Sequence, residues 1–399
     1  MPLNPAQSED STLVTRATPL PYARQTIDEA DIAAVVDTLR SPYLTTGPRV
    51  REFEASLQAE VGVEHAVAVS NGTAALHAAM HALGIGQGDQ VILPPMTFAA
   101  TANAVVFQGA TPRFVDVDAD TLLLDPAALE DAINSNTRAI VAVDYAGQPC
   151  DYDAIRTVAA KHRLPIVADA CHALGGECHG RKVGTLADIS TFSFHPVKPI
   201  TTCEGGMCVT SDQRLADRMR QFRNHGILGD HHERARRGTW QYEMTDIGYN
   251  YRLSDVHAAL GTSQLRKLAK WQQRRQAIAA IYDAAIGEID GVTPIAMRAG
   301  VIHAYHLYVV RIDADRFGVS RDDVFAAMRE RNICCNVHYL PVHLHPFYRE
   351  RLGTRPGTCP NAELAGEQIL SLPMFAAMTD GDVEDVIAAL RQIATEARR

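Results

Sequence analysis

From residue 66 to residue 168 the chain repeats one phrase, a short apolar run, a turn and a helical stretch. The apolar runs are 66–69, 90–93, 112–117, 139–143 and 165–168, and helical patterns fall at 74–83, 126–133 and 152–162. Runs this apolar lack the alternation of a strand with one wet face, so both of their faces must be covered. Apolar strands alternating with helices therefore predict an α/β fold with a mostly parallel sheet between helical layers. Ligands of such sheets gather beyond the carboxyl ends of the strands, which directs attention to the loops after Val69, Leu93, Val143 and Ala168.

A helix is expected at 26–39, with Thr26 as N-cap and Glu29 completing a capping box. A long helical pattern rich in basic residues covers 253–275, and the rhythm changes after it. Beyond it come a strand candidate (306–312), a helix (321–331), a Pro/His-rich segment (337–348) and a closing helix (380–397). A chain of 399 residues suits two domains. The division expected is a loose tail over 1–20, a large domain over 21–262 and a smaller C-terminal α+β domain over 263–399.

Hydrophobic residues make up 46% of the chain, enough for a sizeable core. Lys and Arg number 38 against 47 Asp and Glu, a formal net charge of -9, which argues against a general nucleic-acid binder. Residues 1–20 contain no apolar stretch like that of a signal peptide, and no run reaches membrane-spanning length, so no membrane is expected. Eight cysteines, scattered singly or in uneven pairs, suit a reducing cytoplasm.

Three segments carry chemistry. Ser70-Asn71-Gly72-Thr73-Ala74-Ala75 follows a strand and opens a helix, where free backbone amides and the helix dipole favour a phosphate. Alone, it is equally a strand–helix turn capped by Thr73. Asp169 ends an apolar strand, where a carboxylate could hold a pyridine nitrogen protonated, cap a helix or bind a metal. Lys198 lies in Phe192-Ser193-Phe194-His195-Pro196-Val197-Lys198-Pro199, ahead of Glu204-Gly205-Gly206. An enclosed lysine has its ammonium form disfavoured and becomes a nucleophile able to form a Schiff base. A solvated surface lysine is the ordinary alternative. Ser193 could add a hydroxyl to the phosphate site.

The order and spacing of these segments, from about Tyr22 to the C-terminus, resemble the DegT/DnrJ/EryC1/StrS sugar aminotransferases, which share the type I (aspartate aminotransferase) fold. The resemblance implies pyridoxal 5'-phosphate (PLP) as cofactor, held covalently by Lys198. It further implies Gly72, Thr73 and Ser193 at the phosphate and Phe98, from Met96-Thr-Phe-Ala-Ala-Thr101, stacked on the ring. Asp169 would sit at the pyridine nitrogen and His172 near the ring hydroxyl. A homodimer with shared active sites is implied, with Asn250 of Gly248-Tyr-Asn-Tyr-Arg252 reaching the phosphate of the other subunit. Relatives with His in place of Lys198 remove a sugar hydroxyl, so the lysine implies amine transfer. Cys203 departs from the Gly or Ala that many relatives carry.

Ser193 to Thr202, Val143 to Gly147 and Asn336 to Pro341 resemble most the branch that acts on a UDP-linked 4-keto-6-deoxy-N-acetylhexosamine in pseudaminic acid synthesis. L-Glutamate is the amino donor that the resemblance implies. Enzymes for other nucleotide-linked keto sugars share most of the same residues, and a non-catalytic regulatory protein of the same fold is a more distant alternative, with no segment set aside for a DNA-binding domain. Arg252, His225, His338 and Tyr339 are the candidates for contact with the sugar nucleotide. Cys171-His172 with Cys178-His179 resembles metal-ligand spacing, but the roles implied for Asp169 and His172 leave no metal expected. His231-His232, in the polar loop 229–237, is read as a surface segment over the site. Gly84 to Gly88 precedes a strand and so does not fit a dinucleotide fingerprint.

Overall fold

The structure, a computed structural model, describes residues 15–229, 236 and 238–398. The strands are β1 (His65–Val69), β2 (Gln90–Leu93), β3 (Thr111–Phe114), β4 (Thr137–Val143), β5 (Ile166–Asp169), the short β6 (Glu177–Cys178) and β7 (Arg181–Lys182), β8 (Ile189–Ser193) and β9 (Gly206–Thr210). After them come β10 (Val292–Pro294), β11 (Val301–Ile302), β12 (Tyr308–Ile312) and β13 (Ile369–Leu372). Seven strands form the main sheet in the order β1-β9-β8-β5-β4-β2-β3. The pairs among β3, β2, β4, β5 and β8 are parallel, while β9 runs antiparallel to both β8 and β1. Residues 139–143 of β4 are all buried, as a strand covered on both faces requires. Because β9 reverses twice, β1 runs parallel to β8, and Val69, Val143, Asp169 and Ser193 end at one edge of the sheet.

The first core joins this sheet to its flanking helices. A second core packs the antiparallel β10-β12-β13 sheet against the helices Leu268–Ile286, Arg321–Glu330 and Asp380–Ala397. The two cores do not part the chain at one point. Val342, Tyr348, Cys359 and Ala362 belong to the first, and Leu20 belongs to the second.

The expected elements 90–93, 152–162 and 380–397 coincide with Gln90–Leu93, Tyr152–His162 and Asp380–Ala397. Others are corrected. The first helix starts at Glu29, capped by Asp28 in a reciprocal capping box with Asp31 rather than by Thr26 with Glu29. The Asp28 and Asp31 carboxylates accept from each other's backbone amides and also lie in the favourable field of the helix N-terminus. The 126–133 stretch is a 3-10 turn, Pro126–Ala128, followed by one helical turn, Leu129–Ala132.

The 253–275 pattern breaks at Arg266 and Lys267 into the helices Asp255–Leu265 and Leu268–Ile286. At that break the Lys267 ammonium lies 2.8 Å from the buried Asp31 carboxylate. The expected strand at 306 begins only at Tyr308, because Ala304 and Leu307 donate to Gly147 and Ala146 of the large sheet's loops instead.

Residues 1–14 of the expected tail lie outside the described residues, and the remainder is not loose. Leu20 is buried and pairs with the 332–334 backbone, while Arg16 is ion-paired with Asp382 at 2.7 Å and with Asp385. An apolar side chain and a cation meet a second core whose closing helix opens on Asp380 and Asp382, so the segment docks there.

Candidate active site

Asp169 is the last residue of β5, opposite Val143 of β4 and Thr191 of β8, and is buried. Its Oδ2 accepts a 2.6 Å hydrogen bond from Thr101 Oγ1, and Thr101 in turn lies 2.7 Å from Thr97 Oγ1. Cys171 N donates to Oδ1 at 3.3 Å. Thr101 stands in the first turn of the helix Ala99–Phe107, which starts beyond the carboxyl end of β2. Two elements thus fix the carboxylate's direction. Hydrogen bonds to a charged group are the strong ones, about 1.5–3 kcal/mol.

Lys198 follows β8 on a turn held by Lys198 N to His195 O at 2.9 Å and Thr202 N to Phe194 O at 3.0 Å. Its side chain enters the protein, and Nζ lies 3.4 Å from His306 Nε2. Burial pushes its pKa below the ordinary lysine value, and the charges of Cys171 and Asp169 oppose that shift in part. The ammonium form is disfavoured to that extent.

The phosphate segment lies at the same edge. The helix Gly72–Ala82 begins there, and Asn71, not Thr73, is the residue that caps it, its Oδ1 accepting from Ala74 N at 2.8 Å. The Gly72 and Thr73 amides donate to no protein acceptor among the described residues. A Cβ on Gly72 would stand 2.9 Å from Ser193 Cβ and 3.2 Å from its Oγ, so only glycine lets the helix start meet the end of β8 this closely.

Four further side chains close the site. Tyr339 Oη and His172 Nε2 share a 3.1 Å hydrogen bond, and the His172 ring lies 4.5 Å from that of His306. Burial first, then the charges of Lys198 and His338, pushes the His172 pKa well down, which keeps it neutral, and its buried Nδ1 has no partner among the described residues. Phe98 is exposed at the mouth, its ring 6.0 Å from that of Tyr339. Both ring nitrogens of His338 have partners within the chain, Nδ1 at 2.8 Å from Ser371 Oγ and Nε2 at 3.3 Å from Asn336 Nδ2.

Behind these residues Asp144, fully buried, takes hydrogen bonds on Oδ1 from Cys150 N and Tyr152 Oη, and burial raises its pKa to about 7. Cys203 sits at φ 67°, a left-handed conformation that favours glycine, one of the two residues the resemblance gives at this position.

His225, Arg252 and Asn250 are not brought to Lys198 within one chain. Asn224 bridges to Asn250 and accepts a 2.8 Å hydrogen bond from Arg252 Nη1. With His225, Arg51, Arg214, Arg218 and Arg223, Arg252 lines a separate cavity of about 1090 Å³ that no residue of the Lys198 cluster borders. Cys178 and His179 lie on and beside β6, with the His179 ring against Gly300, and Cys171 turns instead to Thr191 O. His231-His232 fall outside the described residues. Two participants were not legible in the sequence, Thr101 and His306. Their partners are 68 and 108 positions away, and no local pattern marks such contacts.

Residues 25–391 match the DegT/DnrJ/EryC1/StrS aminotransferase family. The chain belongs to that family. It is 43% identical over 377 residues to the spore coat polysaccharide biosynthesis protein SpsC of Bacillus subtilis, a match over 94% of this chain and 97% of SpsC. Its fold superposes with a TM-score of 0.89 on the PMP-form of the putative sugar aminotransferase Spr1654 from Streptococcus pneumoniae, at 32% identity over 95% of this chain and 100% of that one. PseC of Helicobacter pylori, an aminotransferase of pseudoaminic acid biosynthesis, gives the same TM-score of 0.89 and 32% identity, again over 95% and 100%. The chain is a PLP-dependent sugar aminotransferase of the type I fold.

Proposed function

We propose that Lys198 is the lysine that carries PLP, and that the enzyme moves an amino group from L-glutamate to C4 of a UDP-linked 4-keto-6-deoxy-N-acetylhexosamine. The observation that carries the assignment is convergence. At one sheet edge stand a partly buried amine with a lowered pKa, a buried carboxylate held by Thr101, and a helix N-terminus with two amides unpaired among the described residues. These features fit the aldehyde carbon, pyridine nitrogen and phosphate of PLP respectively. When bound, PLP supplies an electron sink for the carbanion formed at the amino donor's α carbon.

This chain's residues do the rest. Asp169 pairs with the ring nitrogen and keeps its proton. Gly72 and Thr73 amides with Ser193 Oγ bind the phosphate. Phe98 covers a face of the ring, and His172, kept neutral and fixed by Tyr339, addresses the ring hydroxyl through its unpaired Nδ1. Lys198, when its amine is free, would be a base with a suitably lowered pKa, placed to take and return the proton of the donor's α carbon.

The site is completed by a second copy. Asn250 is exposed, and near it Trp240, Met244 and Ile247 stand 83%, 68% and 69% exposed, an apolar surface that a partner subunit would cover. In that dimer the segment of Asn250 and Arg252 serves the other subunit's phosphate and the sugar's diphosphate. The pseudaminic branch is favoured by the likeness to PseC; a GDP- or dTDP-linked keto sugar is the second reading.

The test is a half-reaction. Enzyme converted to its amine form by glutamate is mixed with UDP-, GDP- and dTDP-linked 4-keto sugars, and recovery of the aldehyde-form absorbance is followed. Recovery with the UDP-linked N-acetylhexosamine supports the proposal. Recovery with GDP or dTDP sugars alone overturns the substrate and leaves the amine transfer standing.

A further inference from the structure

We propose that His306 is a positioning residue for Lys198, accepting a hydrogen bond on Nε2 from the lysine's ammonium form and so fixing where Nζ stands when it holds a proton. The inference rests on Lys198 being the reactive amine. Nζ and Nε2 lie 3.4 Å apart, with His306 buried and Lys198 partly buried. An ammonium has donors only, so a histidine beside protonated Lys198 must present its Nε2 lone pair, which puts the ring proton on Nδ1, a buried atom with no partner among the described residues.

The segment that carries the ring is held from several sides. Ala304 N and Leu307 N donate to Gly147 O and Ala146 O at 2.9 and 3.1 Å. Gly147 has φ 109°, and a Cβ there would stand 2.9 Å from Tyr305 N and 3.0 Å from His306 N, so the close approach requires glycine. Arg275, buried, donates through Nη1 to Tyr305 O and Met374 O, both at 3.0 Å. The His172 ring covers another side.

Burial and the neighbouring Lys198 push the His306 pKa well down, so the ring stays neutral and its lone pair stays available. The other titratable groups whose charge acts on this pair are Asp169, Cys171, His172, His338 and Arg275. None of their side chains makes a hydrogen bond to Nζ. Protonation of Lys198 is a required stage of any proton shuttle through it, and His306 stabilises that stage.

Competitive labelling of Lys198 by acetic anhydride against pH, read by peptide mass spectrometry on the full chain stripped of cofactor, measures the amine directly. Removing the acceptor should lower the labelling midpoint by about one pH unit in His306→Ala. His306→Gln places an amide oxygen near the Nε2 position and should restore the wild-type midpoint, whereas His306→Asn does not reach it and should behave like Ala. In the holoenzyme, the glutamate half-reaction of the Ala and Asn variants should slow about tenfold with KM unchanged, and Gln should recover it.

A midpoint unmoved in Ala, or Gln and Asn variants that behave alike, overturns the proposal. If the Ala variant does not fold, the Gln–Asn contrast decides alone. Failure of the cofactor assignment shows separately, as unaltered cofactor absorbance in Lys198→Ala.

Discussion

Thr101 donates a 2.6 Å hydrogen bond to Asp169, joining the first turn of one helix to the end of the central strand β5. The pair is buried, so the carboxylate cannot recruit bulk water in place of the hydroxyl. Thr101→Val keeps the shape and removes the donor. Stability measured by urea unfolding of the cofactor-free protein should fall by about 1–3 kcal/mol. An unchanged midpoint would mean the bond is not holding the carboxylate.

Gly72→Ala tests the phosphate end. Its Cβ would meet Ser193 Cβ at 2.9 Å and must push the end of β8 away from the helix start. Cofactor dissociation, followed by absorbance titration, should become at least about tenfold easier, which corresponds to about 1.4 kcal/mol. Wild-type affinity in this variant would place the phosphate elsewhere.

Much of this arrangement is legible in the sequence. Strand 90–93 and helices 152–162 and 380–397 could be read locally because their apolar period and end signals lie within a dozen or so residues. The motif positions Gly72, Asp169, Ser193 and Lys198 do converge at one edge, as the strand-end rule implies. What escaped depends on long-range pairing. The reversal of β9 between β1 and β8 has no local mark, nor do the partnership of His306 with Lys198 and the docking of Leu20 on the second core. The helix break at Lys267 was hidden for the same reason, since its partner Asp31 lies far back in the chain.

Asp144 predicts a pH dependence. Its folded pKa, about 7, lies above the usual carboxylate value of 3.8, so the folded chain holds a proton that the unfolded chain releases. Between about pH 4 and 7 this group therefore makes folding less favourable as pH rises, by up to about 1.4 kcal/mol per unit. The buried His77 and His338, lowered to about 4, and His303, lowered to about 3, act oppositely and lose stability as pH falls below 6.5. Comparing wild type with Asp144→Asn cancels the histidines. The stability of the Asn variant relative to wild type should climb across that window and level above it. Parallel curves would contradict the raised pKa.

Shared sites can be shown by mixing. Lys198→Ala and Asn250→Ala proteins should each be inactive alone. Unfolded and refolded together, they should recover about a quarter of wild-type turnover, because half of random pairs are heterodimers with one intact site. No recovery would mean that Asn250 serves its own chain.

The most direct test of the account fixes the cofactor where it sits. Holoenzyme purified with PLP is treated with borohydride, digested, and searched by mass spectrometry for the phosphopyridoxyl mass. The account predicts that mass on the peptide containing Lys198 and on no other lysine. A label on a different lysine, or none on Lys198 in a protein that holds PLP, would contradict it.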